Sequence, residues 1–269
     1  MGFVEVNGID IHYVAEGEGP PLVFLHGFGS CAEAWYQQFA VFGARFRCIA
    51  YDSVNHGHSA NSPAGQPEPD RADELEGFLA ALGIESPIVA GNSMGALTLL
   101  RWATRHPDRA RALVPSGMGV MSAQAEGAMP AATRRALTEA VGDDVLFLPG
   151  EGGFTESFPL SRPLQYQRYI RLRSTATRLE ASRRPRRVSF ANPGRDELAG
   201  LVASISSPMQ VIVGEKDWLA EAARQLHALV PGSHLEVIPG APHNVYYETA
   251  EQYNSVLARF LADVPALTG

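Results

Sequence analysis

Residues 87–105 read Pro-Ile-Val-Ala-Gly-Asn-Ser-Met-Gly-Ala-Leu-Thr-Leu-Leu-Arg-Trp-Ala-Thr-Arg. The apolar run Ile88-Val89-Ala90 reads as a buried strand. After Gly91-Asn92-Ser93-Met94-Gly95, the apolar residues Ala96, Leu97, Leu99, Leu100, Trp102 and Ala103 recur at helical spacing. The pattern is strand, Gly-x-Ser-x-Gly, helix. A strand-to-helix turn that tight lifts the serine hydroxyl off the sheet edge, and a Cβ at either glycine would clash. The serine also falls at a helix N-terminus, where free N–H groups and the dipole favour negative charge.

Strand and helix signals alternate on both sides of this unit. Asn7-Gly8 joins apolar runs at 3–6 and 9–14 as a hairpin. Further strands are expected at 22–25, 47–51, 110–114, 209–213 and 235–238. Helices are expected at 35–42, at 220–229, at 248–261, and after Asp70 as N-cap to Leu82. Such alternation predicts an α/β fold with a doubly wound, mainly parallel sheet and the hairpin at one edge. The strand-end clusters 26–30, 52–59, Ser93, Asp217 and His243 then converge, because sites in these sheets lie at the carboxyl ends of strands. From 118 to 203 the alternation stops, which divides the chain into a core, 1–117 with 204–269, and an inserted cap, 118–203.

Serine needs a base within hydrogen-bond reach, and the base needs an orienting carboxylate. Of eight histidines, His243 follows the last strand and precedes a helix, where a base would meet Ser93. His12, His106, His227 and His234 read as surface or capping residues, His26 as a loop brace, and His56 with His58 as a rim pair lacking a third metal ligand. Asp217 lies just past the strand at 209–213, with Glu215 and Glu221 as alternatives. The preceding strand end, Val114-Pro115-Ser116-Gly117, carries no carboxylate. Two backbone donors must face the developing oxyanion. They are assigned to Met94 and, from the loop after Leu25, Phe28, with Gly29 as the register alternative.

The 269 residues carry a net charge of −7, which argues against a general nucleic-acid binder. No apolar run is long enough to span a membrane, and no leader is evident, so a cytoplasmic location and a small-molecule substrate are expected. Of the two cysteines, Cys48 lies in an apolar strand and reads as a buried thiol; neither a cofactor nor a metal is called for. The oligomeric state is not readable.

Together, His26-Gly27-Phe28-Gly29, Asp52 with Asn55-His56-Gly57-His58-Ser59, the serine turn, Gly214-Glu215-Lys216-Asp217 and Pro242-His243 resemble the α/β-hydrolase superfamily. The resemblance implies a Ser93–His243–Asp217 triad, a cap over the serine, and no cofactor. Within the superfamily, serine at the elbow is unlike the aspartate of haloalkane dehalogenases and epoxide hydrolases. Gly-Asn-Ser-Met-Gly is similar to the carbon–carbon hydrolases of meta-cleavage products, although Asn244 stands where those enzymes usually carry tryptophan. Perhydrolases are also similar, with Phe28 in place of their usual tryptophan. Hydrolysis of an ester or lactone of a small to medium organic acid is the leading expectation. The alternatives are carbon–carbon hydrolysis, perhydrolysis, and a small-molecule receptor on the same scaffold.

From Arg162 to Arg195 the cap holds ten arginines and one acid, Glu180, a local net charge of +9. Most would form a solvated surface, but one or two facing the pocket would grip a substrate carboxylate. Pocket candidates from the core are Gly29, Asn55, Asn92 and Trp218. From the cap they are Tyr166, Arg168 and Arg171, with Met118, Met121, Met129, Phe154, Phe158 and Tyr169 as possible apolar walls.

Overall fold

The computed structural model describes residues 1–63, 69–120, 153–176 and 195–264. Eight strands form one sheet: β1 (Gly2–Val6), β2 (Ile9–Glu16), β3 (Pro21–Leu25), β4 (Arg47–Tyr51), β5 (Ile88–Asn92), β6 (Ala112–Ser116), β7 (Gln210–Gly214) and β8 (His234–Ile238). Their order is β1-β2-β4-β3-β5-β6-β7-β8. β2 pairs antiparallel with β1 and β4, and the remaining pairs are parallel. Asn7 and Gly8 turn the edge hairpin with φ of 53° and 79°, the left-handed pair that a two-residue turn requires.

Alternation along each central strand feeds two apolar layers. Val23 and Leu25 of β3, Ile49 of β4 and Val211 of β7 face one side; Leu22, Phe24, Ala50 and Ile212 face the other. The first layer is covered by α2 (Arg71–Ala81), α3 (Met94–Arg105) and α7 (Ala220–Leu229), through Leu75, Phe78, Leu99, Trp102 and Leu226. Asp70 caps α2 as expected, accepting the Ala72 N–H at 2.8 Å. The second layer is covered by α1 (Tyr36–Phe42), α8 (Val245–Glu248) and α9 (Ala250–Asp263), through Phe39, Tyr246, Tyr253 and Leu257. Because both faces are buried, the strands read as nearly continuous apolar runs.

Two expectations need adjusting. The sixth strand runs two residues later than 110–114, through Pro115 to Ser116. β6 meets β7 at Ser116↔Ile212 and at the isolated bridge Leu113↔Met209, so the missing N–H of Pro115 falls where the ladder is sparse. The closing helix likewise runs two residues later than 248–261, over Ala250–Asp263, with the short helix α8 before it; between them the Thr249 hydroxyl donates to the Val245 carbonyl at 2.7 Å.

The span expected as a cap is described at 118–120, 153–176 and 195–203. Its two ends belong to the layers on the sheet. Val120 donates to the Ala222 carbonyl at 3.2 Å, and α6 (Arg195–Val202) buries Leu198 and Val202 beside Leu99 and Trp102. Between them, α4 (Phe158–Ser161) and α5 (Pro163–Ala176) dock on α8. Gln165 donates to the Tyr247 carbonyl at 3.0 Å, the Thr155 N–H to Glu248 at 2.9 Å, and the Asn244 N–H to the Gly153 carbonyl at 3.1 Å. Phe154, Phe158, Tyr166, Tyr169 and Tyr247 fill the seam edge to face or stacked. Met121 and Met129 lie outside the described residues. Among those described, no helix is long and apolar enough to cross a membrane.

Candidate active site

The chain leaves β3 toward β4 on one side and later enters β5 on the other, so the β3/β5 pair is the switch point of the sheet. A crevice opens there at the strand ends. The loop after β3 and the turn after β5 therefore face one another across it.

Ser93 occupies that turn with φ 54° and ψ −113°, a strained conformation for a residue with a side chain. Its N–H donates to the Ser116 carbonyl at 2.9 Å and its carbonyl accepts from Leu97 at 2.9 Å, which pins both sides of the bend. A Cβ on Gly91 would lie 2.5 Å from the Gly95 carbonyl carbon, and one on Gly95 would lie 2.2 Å from the Leu25 oxygen. Both glycines are thus demanded by the close approach of backbone. Met94 begins α3, so its N–H is a first-turn donor that no helical carbonyl can reach.

Asp217 and His243 are brought together by β7 and β8. At the end of β7, a Cβ on Gly214 would strike the Ala241 and Pro242 oxygens at 2.3 and 2.4 Å, so the incoming chain can pass only over a glycine. His243 Nδ1 then lies 3.0 Å from each Asp217 carboxylate oxygen. Both side chains are buried, and the Leu219 N–H donates to Asp217 Oδ1 at 2.9 Å. With Nδ1–H donating to the carboxylate, Nε2 is the ring's acceptor nitrogen. Trp218 stacks on the imidazole with centroids 4.1 Å apart. Glu215 instead accepts the Gly240 N–H at 2.8 Å, which turns that alternative acid away.

Gly117 joins these parts to the elbow. Its missing Cβ position is 3.1 Å from Asn92 Oδ1, 3.2 Å from Asp217 Oδ2 and 3.2 Å from His243 Cε1. Across the crevice, the corresponding position of Gly27 is 3.5 Å from the Ser93 Cβ. The serine turn, the carboxylate, the imidazole and the loop after β3 therefore share one small volume.

His26 braces that loop. Its Nδ1 donates to the Gly27 carbonyl at 2.8 Å and its Nε2 accepts the Ser53 N–H at 3.0 Å, so the ring is needed neutral. Burial pushes its pKa down, against the opposing pull of Asp52. The unfolded chain takes up a proton near pH 6.5 that the fold refuses, so this contribution is complete above about pH 6.5 and is lost as pH falls from there toward the folded pKa. We expect the melting temperature to drop between pH 7 and 5, with His26 contributing a slope of up to about 1.4 kcal/mol per pH unit. His26→Gln should melt lower at pH 7 but with a shallower profile; an unchanged slope in calorimetric scans would assign the effect to another group.

Several sequence candidates lie elsewhere. Asn55 takes φ 67°, and its side chain accepts the Ser62 N–H at 2.9 Å, so it stands in for a glycine in its own loop. Asn92, by contrast, stays beside the site: it is buried beneath the elbow with Oδ1 3.1 Å from the Gly117 Cβ position, and it accepts from the Ser116 hydroxyl at 3.2 Å. Tyr166 packs edge-on to Phe154 and Phe158. Arg168 is exposed and stacks its guanidinium 3.6 Å from the Tyr36 ring centroid, and Arg171 is also exposed. Arg162 pairs with Glu251 at 3.7 Å. Arg178, Arg183, Arg184, Arg186 and Arg187 lie outside the described residues, as does the side chain of Arg195.

His12 is buried rather than superficial: its Nδ1 bonds Asp52 Oδ2 at 2.8 Å. Asp52 also accepts the Ala32 and His58 N–H groups at 2.7 and 2.9 Å. Burial opposes its charge, yet these bonds hold the carboxyl below its ordinary range. His56 Nδ1 bonds the Val54 carbonyl at 3.1 Å, and His58 joins His12 and Asp52, with donor atoms within 4.8 Å of one another. Cys31 and Cys48 are free and buried, and burial raises both thiols, Cys48 to about 12.

One buried residue near the crevice escaped the sequence reading. Arg173 is 6% exposed, and its Nη2 lies 3.0 Å from where Gly29 would carry a Cβ. The only signal for it was its helical spacing four residues after Tyr169, which Arg168 and Arg171 matched equally well against other apolar neighbours.

The chain is similar to the dihydrolipoyllysine-residue acetyltransferase component of the acetoin cleaving system of Cupriavidus necator, 28% identical over 266 residues, covering 96% of this chain and 68% of that protein. It is also similar to the (E)-2-((N-methylformamido)methylene)succinate hydrolase of Acinetobacter baylyi, 35% identical over 102 residues, 38% of this chain and 39% of that protein. The crystal structure of the enol-lactonase from Burkholderia xenovorans LB400 shares the fold, with a TM-score of 0.77 and 24% identity, covering 97% of this chain and 100% of that one. The Alpha/beta hydrolase family model matches residues 22–256, in agreement with the fold and hydrolase class expected from the sequence. The chain belongs to the alpha/beta hydrolase family.

Proposed function

We propose that this chain is a cofactor-independent serine hydrolase acting on an ester or lactone of a small to medium organic acid. The observation that carries the reading is His243 Nδ1 at 3.0 Å from both Asp217 oxygens, with Gly117 seating that pair against the serine turn. Ser93 Oγ attacks the carbonyl carbon while His243 Nε2 accepts its proton. Asp217 keeps the imidazole in that tautomer and stabilises its charged form. The N–H groups of Met94 and Phe28 stabilise the oxyanion. The imidazolium then protonates the leaving alcohol, or the same molecule's alkoxide in a lactone. Water, deprotonated by His243, cleaves the acyl-enzyme. Within the span 118–203 expected as a cap, the described helix α5 docks on α8 through Gln165.

The test combines a serine-directed phosphonate with multiple-turnover kinetics on aryl esters, lactones and a dienoic ring-fission acid. We expect stoichiometric labelling at Ser93 and turnover fastest on an ester or lactone. Dominant turnover of the dienoic acid assigns carbon–carbon hydrolysis instead. Labelling with no turnover of any of them assigns a receptor.

A further inference from the structure

We propose that His12, Asp52 and His58 form a binding site for a divalent transition-metal ion of the Zn²⁺ type. The site does not depend on the serine-hydrolase reading. His12 lies in β2, and Asp52 directly follows β4. The two strands pair antiparallel with Tyr13 opposite Tyr51, and the Asp52 N–H donates to the His12 carbonyl at 2.9 Å, so His12 and Asp52 are cross-strand neighbours. The loop after β4 then returns to the carboxylate. Gly57 has φ +53°, and a Cβ there would lie 2.1 Å from Asp52 Cγ, so the chain closes that tightly only over a glycine. The next residue, His58, is carried back to Asp52: its N–H donates to Oδ2 at 2.9 Å, and its Nδ1 lies 3.8 Å from the same oxygen. His12 Nδ1 meets that oxygen at 2.8 Å. Two imidazoles, with centroids 4.9 Å apart, thus present the same ring nitrogen to one carboxylate oxygen. The other oxygen, Oδ1, accepts the Ala32 N–H at 2.7 Å, which fixes the carboxylate plane as an outer-shell partner does for a ligand.

Two imidazole nitrogens and one carboxylate oxygen are a ligand set suited to zinc, with the fourth position left to water. Zinc bonds of about 2.0–2.2 Å put the donors of a tetrahedron about 3.3 Å apart. The observed 2.8 and 3.8 Å bracket that spacing, and all three donor atoms lie within 4.8 Å of one another. Adjustments of about half an ångström at His12 and His58 reach those two bonding distances. On binding, each imidazole carries its hydrogen on Nε2 and turns the Nδ1 lone pair to the ion. The side chains of His12 and Asp52 are only 7% and 1% exposed, whereas that of His58 is 41% exposed. The ion therefore enters past His58, onto two ligands that the sheet already holds in place. In the sequence, His58 stands beside His56 with no third ligand; the pairing of β2 with β4 supplies His12. Bound there, the ion ties the edge hairpin to the loop after β4.

The experiment titrates Zn²⁺ by calorimetry into the chelator-treated full chain, free of any affinity tag. The proteins are the wild type, His58→Ala, His12→Gln and His234→Ala, the last removing an exposed histidine of β8. The wild type should bind one Zn²⁺ per chain with a Kd of about 10 µM or tighter. His58→Ala should weaken that binding at least about 10-fold, since losing even an outer-shell partner costs about 10- to 100-fold. His12→Gln should weaken it as well, and His234→Ala should bind as the wild type does. Saturating Zn²⁺ should raise the melting temperature of the wild type and leave that of His58→Ala in place. If His12→Gln fails to fold, His58→Ala decides, because its side chain is exposed and its backbone bond to Asp52 survives the change. Wild-type binding weaker than about 10 µM, or binding that His58→Ala weakens less than about 10-fold, overturns the proposal.

Discussion

Replacing Ser93 with alanine should reduce kcat by roughly 10⁴ to 10⁶, the range seen when a serine nucleophile is removed. Nothing else at the elbow changes in that variant. The Ser93 N–H still donates to Ser116, the Leu97 N–H still donates to the residue 93 carbonyl, and the backbone keeps φ 54°. The melting temperature should therefore stay close to that of the parent. Ser93→Gly should be equally inactive yet melt higher, because glycine occupies positive φ without the strain of about 1–3 kcal/mol that a side chain brings there. Kinetics and calorimetry on the pair separate chemistry from fold. An alanine variant with full turnover removes the hydroxyl from the mechanism, and a glycine variant no more stable than alanine removes the strain argument.

Asp217→Asn should lower kcat by about 10³ to 10⁴ at pH 7 with little change in KM. The carboxylate accepts the Nδ1–H of His243 with both oxygens at 3.0 Å, and the Leu219 N–H bonds Oδ1 at 2.9 Å. In asparagine, the Leu219 N–H favours the amide oxygen at that position, and the NH2 group falls at the Oδ2 position. The amide then presents a donor to Nδ1, favours the opposite tautomer, and turns a protonated Nε2 toward the serine. It also supplies no charge to stabilise the imidazolium. Because size and shape barely change, folding should survive, which thermal melts would verify. A loss of less than about 10-fold would show that the carboxylate does not act through the imidazole.

Much of the fold was legible because its signals are local. Asn7-Gly8 forces a left-handed turn, Asp70 caps a helix, and the glycines at 91 and 95 mark where backbone meets backbone; each acts within a few residues or through the pattern of one strand. Boundaries were less legible where long-range pairing overrode a local cue. Pro115 looked like a strand end, yet sparse pairing between β6 and β7 accommodates it. Thr249 carries no strong breaker signal, and its bond back to Val245 closes α8 before the last helix begins.

The same distinction runs through the site. By itself, the sequence determined the α/β architecture, the serine turn, and the acid and histidine that follow the last two strands. Period-two and period-3.6 patterns dictate which elements form, and parallel crossovers leave few ways to order them. Only the tertiary structure decided which polar side chains face the crevice. Asn55 was claimed by Ser62, Arg168 by Tyr36, and His12 by Asp52. Arg173, alike in sequence to its neighbours, was turned inward when α5 docked on residues 244–248 through bonds such as Gln165 to Tyr247. The orientation of a helix about its axis is set by the surface it lands on, and partners some 80 residues away in the chain leave no mark in a local pattern.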